Sequence, residues 1–148
     1  MSATGLEVFD RTIQTTNIWL DEIMAAIGPD RHTAWKVLST VLHKLRDRLQ
    51  PDLAAHLAAQ LPLLVRGVYY DLYEPAKQPT DLASREAFVE EVAKWLSDTR
   101  PVDPNDAIRA VFGVLDRHVS AGEIAKVRAA LPKSIRELWP TEPVGETG

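Results

Sequence analysis

The sequence predicts an all-α fold, a bundle of about eight helices built as two pseudo-symmetric, duplicated four-helix lobes. Three observations lead there. Apolar residues recur three and four apart through most of the chain, and no useful length of β-alternation appears. Prolines, Gly28 and short polar residues cut those stripes into pieces of helical length. The second half then repeats the anchors of the first in the same order.

The first stripe runs Phe9, Ile13, Thr16, Leu20, Ile23 and Ile27, and Gly28-Pro29 ends it. Asp30 is placed to cap the next helix, whose stripe is Ala34, Val37, Leu38, Val41, Leu42, Leu45 and Leu49. Pro51 suits the first turn of a third helix, lined by Leu53, Leu57 and Leu61, because a missing N–H costs nothing there. Pro62 breaks the chain before a fourth apolar face of Leu64, Val65, Val68 and Leu72. Residues 75–83 read as a linker. Ser84 opens a helix carrying Phe88, Val92, Trp95 and Leu96, and Asp103-Pro104 caps one carrying Ile108, Val111, Phe112, Val114 and Leu115. Ser120 and Glu123 have capping-box spacing ahead of Ile124, Val127 and Leu131. Pro132 precedes a last short helix with Ile135, Leu138 and Trp139. The expected organisation is a disordered segment 1–6, one helical domain 7–140 (repeat one 7–74, linker 75–83, repeat two 84–140) and a disordered tail 141–148.

The repeat is read from matched residues. Leu61-Pro62-x-x-Val65-Arg66 returns as Leu131-Pro132-x-x-Ile135-Arg136, with Val68 and Tyr69 matching Leu138 and Trp139. Trp19-Leu20 matches Trp95-Leu96, Ile13 matches Val89, and Ala34, Leu38, Val41 and Leu42 match Ala107, Val111, Val114 and Leu115. Units of 60–70 residues are marginal alone, so the two halves are expected to complete one core together. Trp19 and Trp95 are read as core or inter-lobe packing, with a functional aromatic site as the alternative.

Composition limits the function classes. With 148 residues, 45% of them apolar and 26% charged, the chain has an ordinary globular balance rather than a disordered one. The net charge of −4 divides equally between the halves, without a polybasic arm, which argues against an electrostatic grip on nucleic acid. No cysteine is present, so thiol catalysis, thiolate metal sites and disulfides are excluded, in keeping with a cytoplasmic location. No apolar run approaches a membrane span and no signal-peptide pattern opens the sequence.

The segment VLSTVLHKLRDRLQPDLAAHLAAQLPLLVRGVYYDLYEP, residues 37–75, resembles the bacterial family catalogued as domain of unknown function 2267. The likeness rests on Leu45-Arg46-Asp47-Arg48-Leu49, then Gln60-Leu61-Pro62, Arg66-Gly67 and Tyr69-Tyr70, with Tyr73 where the family often has tryptophan. Ser84-Arg85-Glu86-x-Phe88, Gly122-Glu123 and Leu131-Pro132 through Trp139-Pro140 extend it over roughly residues 7–140. The resemblance implies a soluble, all-helical bacterial protein and brings no established activity, ligand or catalytic residue.

Candidate chemistry is sparse. There is no H-E-x-x-H, no G-x-S-x-G elbow, no glycine-rich phosphate loop and no pair of Glu-x-x-His motifs, so neither an enzyme, a metal site nor a cofactor is expected. His43 and Asp47, four apart, read as a solvated helix pair, and His118 as a partly buried histidine near a helix end. Lys44, Arg46 and Arg48 are expected to fan over the surface beside the core position Leu45. The segment to watch is Arg66, Tyr69, Tyr70 and Tyr73, echoed by Arg136 and Trp139, since arginine beside aromatics is the composition of interface anchors. The same residues also suit an inter-lobe seam in which each arginine bonds helix-end carbonyls. Gly67, inside that helix, is read as a site of close helix approach.

The function expected is a non-catalytic helical interaction module that contacts another protein or its own copy. The alternatives are a small-molecule binder with an aromatic/Arg pocket between the lobes, and a ribosome- or nucleic-acid-associated stress factor.

Overall fold

The computed structural model of the chain describes residues 3–81 and 84–140; residues 1–2, 82–83 and the expected disordered tail 141–148 lie outside them. Eight α-helices occur among the described residues, with no strand: α1 (Glu7–Ile27), α2 (Arg31–Arg46), α3 (Pro51–Ala58), α4 (Leu63–Tyr70), α5 (Arg85–Trp95), α6 (Pro104–His118), α7 (Ala121–Ala129) and α8 (Lys133–Arg136). A 3₁₀ turn, Pro75–Lys77, occupies the linker. Residues 3–6, expected to be disordered, are hooked onto the first turn of α1: the Thr4 N–H and hydroxyl both donate to the Asp10 carboxylate.

The local signals acted where they were read. Gly28 ends α1 at φ 125°, a conformation that favours glycine, and its N–H donates to the Met24 carbonyl. Asp30 accepts from the Thr33 N–H, Ser84 from Ala87, and Asp103 from Asn105 and Asp106. Ser120 accepts from the Glu123 N–H, but the return half of the capping box is absent. The Ser120 N–H donates instead to Gln60 Oε1 at 2.8 Å, and Gln60 Nε2 donates to the Ser120 hydroxyl. Packing of α3 on α7 carries Gln60 there, so the cap is completed from the other half of the chain.

The halves interlock rather than stand as separate lobes. α1 packs on α6, α5 on α2, and α2 on α6 between them, so a single apolar cluster spans both halves. Leu38, Leu42, Val111 and Leu115 line the central contact and are inaccessible, as their stripe predicts. The order of four helices occurs twice, and the cross-pairing of α1·α6 with α5·α2 is the arrangement a two-fold relation between repeats would give. The duplication itself rests on the sequence matches.

Four expectations are corrected. Arg46 and Arg48 do not fan into water but are 3% and 8% exposed, because their helix-end position turns them under α4 and α5. The Arg48 guanidinium covers the Phe88 ring at 4.6 Å. His43 is not a solvated partner of Asp47; it is half-buried, with its Nε2 2.6 Å from the Val68 carbonyl. Trp95, the last residue of α5, is 47% exposed with the Lys44 ammonium 4.9 Å from its ring, whereas Trp19, in the middle of the longer α1, is 1% exposed. Phe9 and Ile13 begin the α1 stripe but are exposed. At 21 residues α1 is about 31 Å long, against about 24 Å for the 16 residues of α2. Its first turns run past the elements that would cover them.

Candidate functional site

The sequence-predicted residues do not converge on one site. Tyr69 is fully buried and its hydroxyl donates to the Ala54 carbonyl at 2.8 Å; burial raises its pKa far out of reach. Tyr70 is exposed and touches the rings of both Tyr69 and Tyr73. Arg66 donates from Nε to the Ala58 carbonyl at 2.9 Å and from Nη2 to Leu61 at 3.0 Å, closing the C-terminus of α3. These helix-end carbonyls belong to its own half of the chain, so the contact is not the inter-lobe seam that was the expectation. Its counterpart Arg136 is exposed, and its guanidinium makes no hydrogen bond or ion pair among the described residues. The reason lies in helix length: Arg66 sits inside an eight-residue helix, while the four-residue α8 ends on Arg136. Trp139 is buried, stacked on Phe112 at 4.2 Å. Gly67 faces open space, so close approach does not account for it.

What organises the tyrosine segment is Arg46, which sequence reasoning missed. Its Nη1 donates to the Tyr69 and Asp71 carbonyls at 2.7 and 2.8 Å, and its Nε to the Asp47 carboxylate at 2.9 Å. The guanidinium also lies 4.9 Å from the Tyr73 ring. Leu72, at φ 62°, occupies a conformation that L side chains rarely adopt, within the turn that Arg46 clamps. The signal was present in the doublet Arg46-Asp47, but i and i+1 residues do not ordinarily share a helix face, and the pairing forms only because α2 ends there.

A different place presents open chemistry. Three elements meet at one corner: α1, the turn between α3 and α4, and the end of α6. A hydrogen bond joins each pair of neighbours. The Leu64 N–H donates to the Thr12 hydroxyl at 2.9 Å, capping α4 from α1. Gln60 bonds Ser120, tying the α3–α4 turn to the start of α7. Glu22 of α1 accepts from Arg117 Nε at 2.7 Å and pairs with His118 Nε2 at 2.7 Å at the end of α6. Burial works to raise the Glu22 carboxyl, but the His118 and Arg117 side chains outweigh it and hold it below its ordinary value.

Between these ties a cleft of about 330 Å³ remains open, walled by Val8, Arg11 and Thr15 of α1, by Leu63, and by Trp19 and His118 at its base. The Trp19 and His118 rings stack at 5.4 Å. Comparing the repeats shows why space is left: Thr12 stands where the second copy has Phe88, which packs against Phe112 and fills the core. At the cleft itself Val8 of α1 and Leu63 of α4 are exposed; Leu6 before α1, Phe9 on it and Leu64 of α4 are exposed as well, and Ile13 and Ile18 line a separate groove along α1.

No group of three or more His, Cys, Asp or Glu side chains suited to a metal ion occurs among the described residues. No helix of the described residues is long and apolar enough to cross a membrane. The family model of uncharacterized conserved proteins labelled DUF2267 matches residues 16–138. Trp19, Leu63 and His118 lie within that span, and Val8, Arg11 and Thr15 precede it. No curated protein matches the chain.

Proposed function

The chain belongs to the DUF2267 family of uncharacterised conserved proteins, and from there we propose that it acts as a non-catalytic helical interaction module in the cytosol, docking another protein on the exposed flank of α1 and the start of α4. The observation that carries this reading is the run of α1 beyond its own bundle. Phe9 and Ile13, four apart on one stripe, remain exposed, and the start of α4, with Leu63 and Leu64 exposed, is held against the same helix by the Thr12 bond. Exposed apolar residues at i and i+4 on a rigid helix suit an amphipathic helix of a partner, packed ridge into groove. The absence of catalytic spacing in the sequence supports a binding role over an enzymatic one, and zero cysteines with a charge of −4 suit a protein partner in a reducing compartment.

The test is affinity capture from the native host with the wild-type chain and with a Phe9→Glu/Ile13→Glu variant. Both positions are exposed, so the variant is expected to melt like the parent while losing its captured protein. Equal capture by both chains refutes this face. Sedimentation of the purified chain detects the other outcome, self-association through the same flank.

A further inference from the structure

We infer that the cleft over Trp19 is a binding site for a small amphiphilic carboxylate, with the carboxylate held by Arg11 and Thr15 and the apolar body lying along Val8 and Leu63. A cavity of about 330 Å³ sits at the lower end of the range occupied by small-molecule sites, so the ligand is small.

The lining selects its charge. Among the described residues that line the cleft there is one arginine and one histidine, and no aspartate or glutamate. The neighbouring carboxylates are engaged elsewhere, Glu7 with Arg11 and Glu22 with Arg117 and His118. Arg11 is nevertheless mostly exposed at the rim, so its guanidinium retains donors for a second acceptor.

The wall adds a neutral donor. The Thr15 hydroxyl, with no partner among the described residues, lies one helical turn from Arg11 on the same wall. Trp19 is 1% exposed and its Nε1 is inaccessible, so the ring closes the base without offering a donor. The remaining wall is apolar, from Val8 through Leu61, Pro62 and Leu63, and accepts a hydrocarbon body.

The experiment uses the purified full chain, and so reads out independently of any protein partner. The four tryptophans give four indole N–H signals in ¹H–¹⁵N spectra, assigned through the backbone. Titration with octanoate is expected to move the Trp19 signal saturably, with a dissociation constant of about 1 mM or below, and octylammonium to bind at least about tenfold more weakly. Leu63→Glu, at an exposed position, places a carboxylate at the mouth and is expected to weaken octanoate by about tenfold or more without shifting the melting temperature. A Trp19 signal that stays still, equal responses to the acid and the amine, or undiminished binding by Leu63→Glu overturns the inference. Loss of protein capture by the Phe9/Ile13 variant with no octanoate response would sink the ligand site alone; the reverse pair of results would sink the docking face alone.

Discussion

Three arginines show how much a side chain's worth depends on what surrounds it. Arg46 is buried and bonded to two carbonyls and a carboxylate, so Arg46→Met leaves Asp47 and the turn carbonyls without their donor. Its expected cost is about 3 kcal/mol or more. Arg66, half-buried on helix-end carbonyls, is expected to lose about 1–3 kcal/mol on substitution by Met. Arg136→Met, in water, is expected to stay within about 0.5 kcal/mol. Denaturant melts of the three variants rank them, and a cost at Arg136 equal to that at Arg66 would contradict this placement. Titration separates two further groups. Burial, the larger influence, lowers the His43 pKa against the opposing pull of the Val68 carbonyl, so the folded chain prefers the neutral ring. Protonation therefore favours the unfolded chain, and stability that is complete above the ordinary imidazole range is lost as pH falls below about 6.5. Glu22, also lowered, loses its contribution further down, as pH falls through the carboxylate range. Melting temperature against pH is expected to show both losses, with His43→Gln removing the first and Glu22→Gln the second.

At the scale of the element, α2 and α6 form the load path of the core and α4 carries an unused gain. Leu42 is inaccessible at the α2·α6 contact, and Leu42→Ala is expected to cost about 2–5 kcal/mol through lost burial and a cavity. A loss below about 0.5 kcal/mol in denaturant melts would mean that the helix is wrongly phased. Gly67 lies inside α4, and a methyl group added there meets no atom within 4 Å. Gly67→Ala is therefore expected to raise stability by about 0.5–1 kcal/mol, read from the same melts, since alanine loses less backbone freedom on folding. A destabilised Gly67→Ala chain would point to a close neighbour at that helix that the structure does not show. Helix ends were well read from sequence because a cap is a local device: Asp30, Ser84 and Asp103 bond N–H groups two or three residues away. The Ser120 cap was half-read, because its second partner, Gln60, is 60 residues distant.

For the whole molecule, the shared core makes a cooperative unit of both halves. Residues 3–81 alone would lose α6 from α1 and both α5 and α6 from α2, exposing Leu38, Leu42 and Leu45. That fragment is expected to show no cooperative thermal transition by circular dichroism, whereas the full chain melts as one. A fragment that melts cooperatively would mean that the halves are independent lobes after all.

By itself the amino-acid sequence determined the helical class, the break points, the caps, the α2 and α6 core stripes and the family likeness. Each of these depends on spacing within one helix or on the conformational limits of Pro and Gly, and such physics is written into neighbouring residues. Only the tertiary structure decided which of two matched residues is used. Arg66 finds carbonyls and Arg136 finds water; Trp19 is roofed by His118 and Trp95 stands open under Lys44. The buried pair Arg46 and Arg48, and the cleft over Trp19, were likewise decided by what packs across from them. A polar group's burial, and the space beside an aromatic ring, are set by elements distant in sequence. Thr12 in place of Phe88 becomes an opening only once α1, α4 and α6 have met around it.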